Sequence, residues 1–222
     1  MLEKIVSLLA PHRCIVCRAE GSLLCDWCKP DAIYEVPQRC YRCSAASQDA
    51  VTCKKCSKQT SLSHVWVRSI YAKTARKLVY DLKFERAKAS AKLIAELLDE
   101  AIPYLPDGIV ISYVPTATSR VRLRGYDQAQ QIARELSRLR SLPLQNLFIR
   151  HGQTRQVRSN KKTRAAQADK AYSLKKKQNV AGKQILVVDD IMTTAATLEA
   201  VARILKKAGA KQVNAAVFAQ KQ

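Results

Sequence analysis

The sequence predicts an α/β protein: a mostly parallel sheet flanked by helices, with a small cysteine-rich domain in front of it. Three observations carry this. All eight cysteines fall within the first 56 of 222 residues. From residue 61 onward, short β-branched runs alternate with stretches of helical periodicity, as strands do when crossover helices lay them parallel. One apolar run, 185–188, delivers two adjacent carboxylates, Asp189 and Asp190, just before a hydroxyl-rich turn and a helix. The expected division is a head over 1–60 and a body over 61–222.

The head is four Cys-x-x-Cys pairs: Cys14/Cys17, Cys25/Cys28, Cys40/Cys43 and Cys53/Cys56. A two-residue spacer lets both thiolates grip one metal, and two such knuckles complete a tetrahedral sulfur site. Four pairs therefore suit two structural zinc ions. Disulfides need an oxidising compartment, and the apolar stretch within residues 1–10 is shorter than a secretory core of ~7–15 residues. Sequential pairing leaves loops of 7 and 9 residues between partner pairs; an interleaved cross-brace suits the same spacing. Sixty residues with few large apolar groups are expected to need the metal to fold. His12 is either a substitute ligand or an exposed histidine. Trp27, Tyr34 and Tyr41 are candidates to stack nucleobases, and Trp27 suits the core of a zinc ribbon equally well.

The body then unfolds element by element. Residues 65–71 are β-branched and aromatic, as in a strand. Residues 75–84 and 87–102 keep helical spacing through Leu78, Leu82, Leu93 and Leu97, and Pro103 and Pro106 stop the second helix. Residues 109–114 form a buried strand, 127–139 a helix, and 144–149 a short strand. Residues 185–188 form another buried strand, 194–208 a helix closed by Gly209, and 213–218 the last strand. In such sheets ligands bind at the carboxyl ends of the strands.

Composition bounds the rest. An apolar share of 47% excludes wholesale disorder, and 6 glycines with 7 prolines exclude collagen-like chains. No apolar run approaches the ~20 residues of a membrane span; a soluble, cytoplasmic protein is expected. Net charge is +21, of which residues 61–222 contribute +18, which implies a polyanionic partner. Residues 150–177 carry ten Lys/Arg, among them Arg155, Arg158, Lys161, Lys162 and Arg164, against the single acid Asp169. This stretch suits a hood over a phosphate site or a surface that follows a nucleic-acid backbone.

The segment around Asp189 has a chemistry of its own. The turn and the helix start supply N–H groups, and Thr193, Thr194 and Thr197 add hydroxyls, so a phosphate fits there. The two acids can accept hydrogen bonds from vicinal hydroxyls. Together they describe a ribose 5-phosphate. The same residues also suit a plain strand end and helix cap.

Apolar strand, Asp-Asp, then Thr193-Thr194-Ala195-Ala196-Thr197 resembles the PRPP-binding motif of type I phosphoribosyltransferases. With the four cysteine pairs in front, the chain is similar to the ComF/GntX family of competence-associated proteins. Leu82-Lys83-Phe84 resembles that family's Leu-Lys-Phe. Val114-Pro115 with Arg120-x-Arg122-x-Arg124-Gly125-Tyr126-Asp127-Gln128 resembles its Val-Pro … Arg-Gly-Phe-Asn-Gln signature, and 153–156 resembles the start of its basic loop. The likeness covers roughly residues 10–220. It implies a type I phosphoribosyltransferase-like fold and a role in handling single-stranded DNA during natural transformation. It also implies a PRPP site with Mg²⁺, and a ComF-family DNA helicase as partner. On that reading Asp189 and Asp190 hold the ribose hydroxyls. The loop Thr193, Thr194, Ala195, Ala196 and Thr197 holds the 5-phosphate, Lys83 and Arg124 the pyrophosphate, and Arg155, Arg158, Lys161, Lys162 and Arg164 the nucleic acid. The alternative is a genuine PRPP-dependent transferase with an unidentified acceptor; a third is a zinc-dependent scaffold with a relic pocket. Three positions depart from the family: Ala195 stands where it has glycine, Asp127 for asparagine, Tyr126 for phenylalanine.

Overall fold

The computed structural model describes residues 12–85, 87–151 and 171–221. Among the described residues the head contributes two single α-helical turns, α1 (Lys29–Ala32) and α2 (Lys54–Ser57), with a 3-10 turn, Gln48–Ala50, between them. The body follows as β1 (Val65–Ile70), α3 (Lys73–Phe84), α4 (Ala87–Ala101), β2 (Val110–Tyr113), α5 (Thr118–Arg124) and α6 (Gln128–Arg140). It ends with β3 (Phe148–Arg150), β4 (Tyr172–Leu174), β5 (Gln184–Met192), α7 (Ala196–Lys207) and β6 (Gln212–Gln220).

The central sheet has the order β1-β6-β5-β2, and all its pairings are parallel. All four residues of β2 and seven of the nine in β6 are buried, as in a sheet covered on both faces. Side chains alternate across it. Leu186 and Val188 join Ile111, Tyr113 and Phe218 on one face, where Leu78, Leu82, Ile94, Leu98, Ile132 and Leu136 of α3, α4 and α6 cover them. Ile185 and Val187 join Val110, Val213 and Val217 on the other, against Leu198, Val201 and Leu205 of α7. Phe148 of β3 and Tyr172 of β4 complete that second face.

The head shares these cores. Cys14, Leu24, Cys28 and Ile33 lie in the first cluster with Leu78 and Leu97, and Tyr41 packs on the second. Polar anchors add to this: Arg68 of β1 lies 3.4 Å from Glu35 and 3.5 Å from Glu100, and Lys29 also pairs with Glu100.

Several expectations move. The strand expected over 144–149 divides. Leu144 makes only an isolated parallel bridge with Ile111, and β3 begins at Phe148 and pairs antiparallel with β4, outside the main sheet. The arginine-rich segment 120–124 is helical. It ends on Gly125 at φ 80°, a left-handed C-cap that glycine adopts without strain. β5 runs on to Met192, so Asp189 and Asp190 lie within the strand. Among the described residues, no helix is long and apolar enough to cross a membrane.

Candidate functional site

The site lies where β2 stops and β5 continues. Tyr113 is the last β2 residue in register, opposite Val188, while Asp189 still pairs with Val217 of β6. Beyond Val114 the chain leaves at Pro115, which opens the carboxyl edge of the sheet beside the two acids. Lys83, in the last turn of α3, reaches in and places its Nζ 2.8 Å from Asp190 Oδ2. The Asp190 amide donates to Asp189 Oδ1 at 2.9 Å. Burial pushes the Asp189 carboxyl well above its ordinary value; the neighbouring Asp190 charge adds to this, and the amide and Lys83 oppose it. Two half-buried carboxylates with so few donors keep acceptor capacity for vicinal hydroxyls.

The loop after them supplies the second half. Thr193 and Thr194 are exposed. Ala195, at the family's glycine position, caps α7 at φ 57°, ψ 3°, in the left-handed region. Thr197 hydrogen-bonds Tyr172 of β4. Arg150 of β3 lies 5.3 Å over the Tyr172 ring and donates to the Pro115 carbonyl at 3.2 Å. Arg150 and Tyr172 thus wall the loop. The sequence placed both in a polar basic stretch; the lone aromatic in it was the one available signal.

Asp127 answers to the fold. Its carboxylate accepts from the Thr116 amide at 2.6 Å and from the Gln130 amide at 3.3 Å, capping α6 and tying down the turn after β2. Burial raises its pKa against those bonds. Tyr126 donates its hydroxyl to the Leu82 carbonyl at 2.7 Å, which fixes the end of α3 and with it Lys83. On α5, Arg120 and Arg124 share a side and Arg122 does not. Arg124 lies 4.9 Å over the Phe84 ring.

The cysteines gather as two sets in sequential order: Cys14, Cys17, Cys25 and Cys28, then Cys40, Cys43, Cys53 and Cys56. Within each set all sulfurs lie within 4.8 Å of one another. The Cys17–Cys25 and Cys43–Cys53 sulfurs are both 3.7 Å apart. Four sulfurs at ~2.3 Å from a tetrahedral zinc stand ~3.8 Å from each other, so the sets fit zinc. Electrostatics fits as well. Burial pushes the Cys28 and Cys56 thiols up to about 12. Cys14 and Cys40 also feel burial, yet backbone N–H groups bring them down to about 6. A cation is what would let all four of a set ionise together. His12 is exposed and outside both sets.

Of the proposed stacking residues, Trp27 is 89% exposed and therefore not core. Tyr41 is a correction: its hydroxyl donates to Glu199 of α7 and pairs with Thr60, so the ring is held at the head–body junction. Arg155, Arg158, Lys161, Lys162 and Arg164 lie outside the described residues. A separate cleft of about 830 Å³, between the 35–41 segment and β1, holds none of residues 189–197.

The phosphoribosyl transferase domain family model matches residues 84–222. Competence protein F of Haemophilus influenzae is 29% identical over 219 residues, covering 90% of this chain and 93% of that protein. DNA utilization protein YhgH of Escherichia coli K12 is 25% identical over 198 residues, covering 78% and 86%. Among solved structures, Trypanosoma cruzi hypoxanthine phosphoribosyl transferase aligns at 17% identity and TM-score 0.35, covering 60% of this chain and 63% of that one. The chain belongs to the phosphoribosyl transferase domain family, and over most of its length it is similar to these competence and DNA utilization proteins.

Proposed function

We propose that this chain handles single-stranded DNA during natural transformation and takes a ribose 5-phosphate group, as in PRPP, at the Asp189–Asp190 edge. The observation that carries the reading is the half-buried carboxylate pair, met by one lysine and one amide, beside a hydroxyl-rich helix start. The carboxylates take the 2- and 3-hydroxyls. The loop amides with Thr193, Thr194 and Thr197 take the 5-phosphate. Lys83 neutralises the acids, and with Arg124 it faces the pyrophosphate side. The hard oxygens of the pair also suit a Mg²⁺ brought in with the pyrophosphate. The DNA half of the reading is supported by the +21 charge, by the basic segment 150–177, and by relatives whose names refer to competence and DNA utilization. Two zinc ions in the head, a cytoplasmic location and a helicase partner complete the reading.

The test titrates the zinc-loaded protein with PRPP and with a single-stranded oligonucleotide, separately and together, at two salt concentrations. Salt-steep DNA binding and saturable PRPP binding, without pyrophosphate release, are expected. Asp189→Asn combined with Asp190→Asn should abolish the PRPP signal while the fold persists. Equal PRPP affinity in that double variant overturns the pocket. Pyrophosphate release with any base would make the chain a PRPP-dependent transferase, the reading that Lys83 beside the diol site also favours.

A further inference from the structure

α3 has two unlike faces. Leu78, Val79 and Leu82 are buried in the core, so its inner face is complete. On the outside, Tyr80 and Phe84 stand one turn apart, 49% and 56% exposed, with ring centroids 5.0 Å apart and planes tilted by 44°. Neither ring is core. Arg124 of α5 lies 4.9 Å over Phe84, and its Nε is buried with no hydrogen-bond partner among the described residues. Stacking on the ring therefore orients that guanidinium. Lys77 lies 5.1 Å over Tyr80 while paired with Asp81 and Glu85. Exposed Arg120, one turn before Arg124 on the same side of α5, continues the patch. Lys83, the residue before Phe84, pairs with Asp190, so the end of α3 that carries Phe84 abuts the carboxylate edge.

We propose that Tyr80 and Phe84, with Arg124, form a base-stacking platform for single-stranded nucleic acid running along α3 toward the Asp190 edge. The proposal rests on the reading that the chain binds single-stranded DNA, and it names where the bases go. Aromatic rings with arginine at their margin are what sequence-tolerant strand binding uses: the base stacks and the cation meets the phosphate. Charge complementarity selects this occupant, because Arg124 stands against the Phe84 ring on a chain of charge +21. A single strand is selected because only unpaired bases offer a free face to an exposed ring, whereas the bases of a duplex hide theirs in the stack.

The experiment compares a labelled oligothymidine with a strand of abasic residues of equal length and charge, both titrated against the zinc-loaded full chain by fluorescence anisotropy. Wild type should prefer the base-bearing strand. Tyr80→Ala with Phe84→Ala should lose that preference and bind oligothymidine at least about tenfold more weakly, while affinity for the abasic strand and the salt dependence stay unchanged. Tyr80→Leu with Phe84→Leu keeps an apolar surface without π faces and should lose the preference equally. Retained preference in the alanine pair overturns the platform. Retained preference in the leucine pair alone makes the patch a general apolar docking surface, and also overturns it. If wild type binds neither strand, the DNA-handling reading itself falls, an outcome distinct from failure of the platform alone. Unchanged melting temperatures establish that the variants are folded, as expected for half-exposed rings.

Discussion

Two acidic positions ten residues apart meet opposite fates. Glu199, in the first turns of α7, is surrounded by donors: Tyr41 Oη at 2.5 Å, Arg42 Nη1 at 3.0 Å, Thr60 Oγ1 at 2.8 Å, and Arg203 Nη1 at 3.9 Å. Asp189 has the Asp190 amide, and Asp190 has Lys83. Three of these four groups come from the head, and Tyr41 and Arg42 are the two residues between Cys40 and Cys43. A buried acid whose acceptors are filled by the protein is an anchor. One left short of donors at a strand end, with its pKa driven up by burial, has the character of a binding group. The same helix thus carries the bolt that fastens the head and, at its start, the loop that faces a ligand.

The largest break in this contrast is metal removal. Structural zinc in small domains is worth ~10–16 kcal/mol. Stripping it should release Tyr41 and Arg42 from Glu199 and unfold the head. Because Cys14, Leu24 and Cys28 share a core with Leu78 and Leu97, the melting temperature of the body should fall too. Calorimetry with and without chelator, alongside metal analysis, checks this; a body that melts unchanged would mean the shared core contributes nothing. Next comes Glu199→Ala. It leaves the Tyr41 and Thr60 hydroxyls and one guanidinium without their partner, at ~1–3 kcal/mol per buried unsatisfied group. An overall loss of about 3 kcal/mol in urea unfolding is expected. A loss below about 1 kcal/mol would place Glu199 among ordinary surface acids and dissolve the comparison.

The two fates were unequally legible in the sequence. The strand with Asp189 and Asp190 was legible, because an apolar run, adjacent acids and a hydroxyl-rich turn follow one another in the chain. The cysteine sets were legible for the same reason, and their sequential pairing needed only the structure to choose it. Glu199 was invisible, since its partners lie some 140 and 158 residues away in the chain and no local pattern marks a long-range ion pair. Tyr41 was misread for that reason: a tyrosine between two cysteines looks like an exposed aromatic until Glu199 is brought to it. The β3–β4 pair was hidden because three-residue strands have too short a period to read, and α5 had no reading because polar residues carry no helical stripe.

Asp189→Asn sharpens the contrast by opposing stability to binding. The folded protein raises this carboxyl above its ordinary 3.8, so between that value and the raised one the folded state holds more protons than the unfolded. Wild-type stability should fall as pH rises through this window. The asparagine variant lacks that loss. It should be more stable at pH 7, by about 0.5–2 kcal/mol as stabilising substitutions usually are, and equal to wild type near pH 3. Its affinity for ribose phosphate should drop about tenfold, the worth of one charge-assisted hydrogen bond. Thermal melts across pH, with calorimetry on PRPP, measure both. An asparagine variant that is less stable at pH 7 would show a carboxylate satisfied as fully as Glu199.

Ala195→Gly gives the smallest effect and separates two causes. An L-residue in the left-handed region carries ~1–2 kcal/mol of strain, and Ala195 sits there at φ 57°. Glycine removes the strain and is a better N-cap than alanine, but it adds ~0.4–1 kcal/mol of unfolded-state entropy and gives up a buried methyl. The net gain should be about 0.5 kcal/mol. Strain of this kind is present with or without ligand, so relieving it leaves affinity unchanged. Only a methyl projecting into the phosphate's place would weaken binding. The Ala195 side chain instead belongs to the buried cluster beneath α7, with Leu198 and Val201. PRPP affinity of Ala195→Gly should therefore match wild type within about twofold, alongside a slightly raised melting temperature. A tenfold gain in affinity at constant stability would mean the methyl crowds the ligand, and would place Ala195 with Asp189 as part of the binding surface instead of with Glu199 as part of the frame.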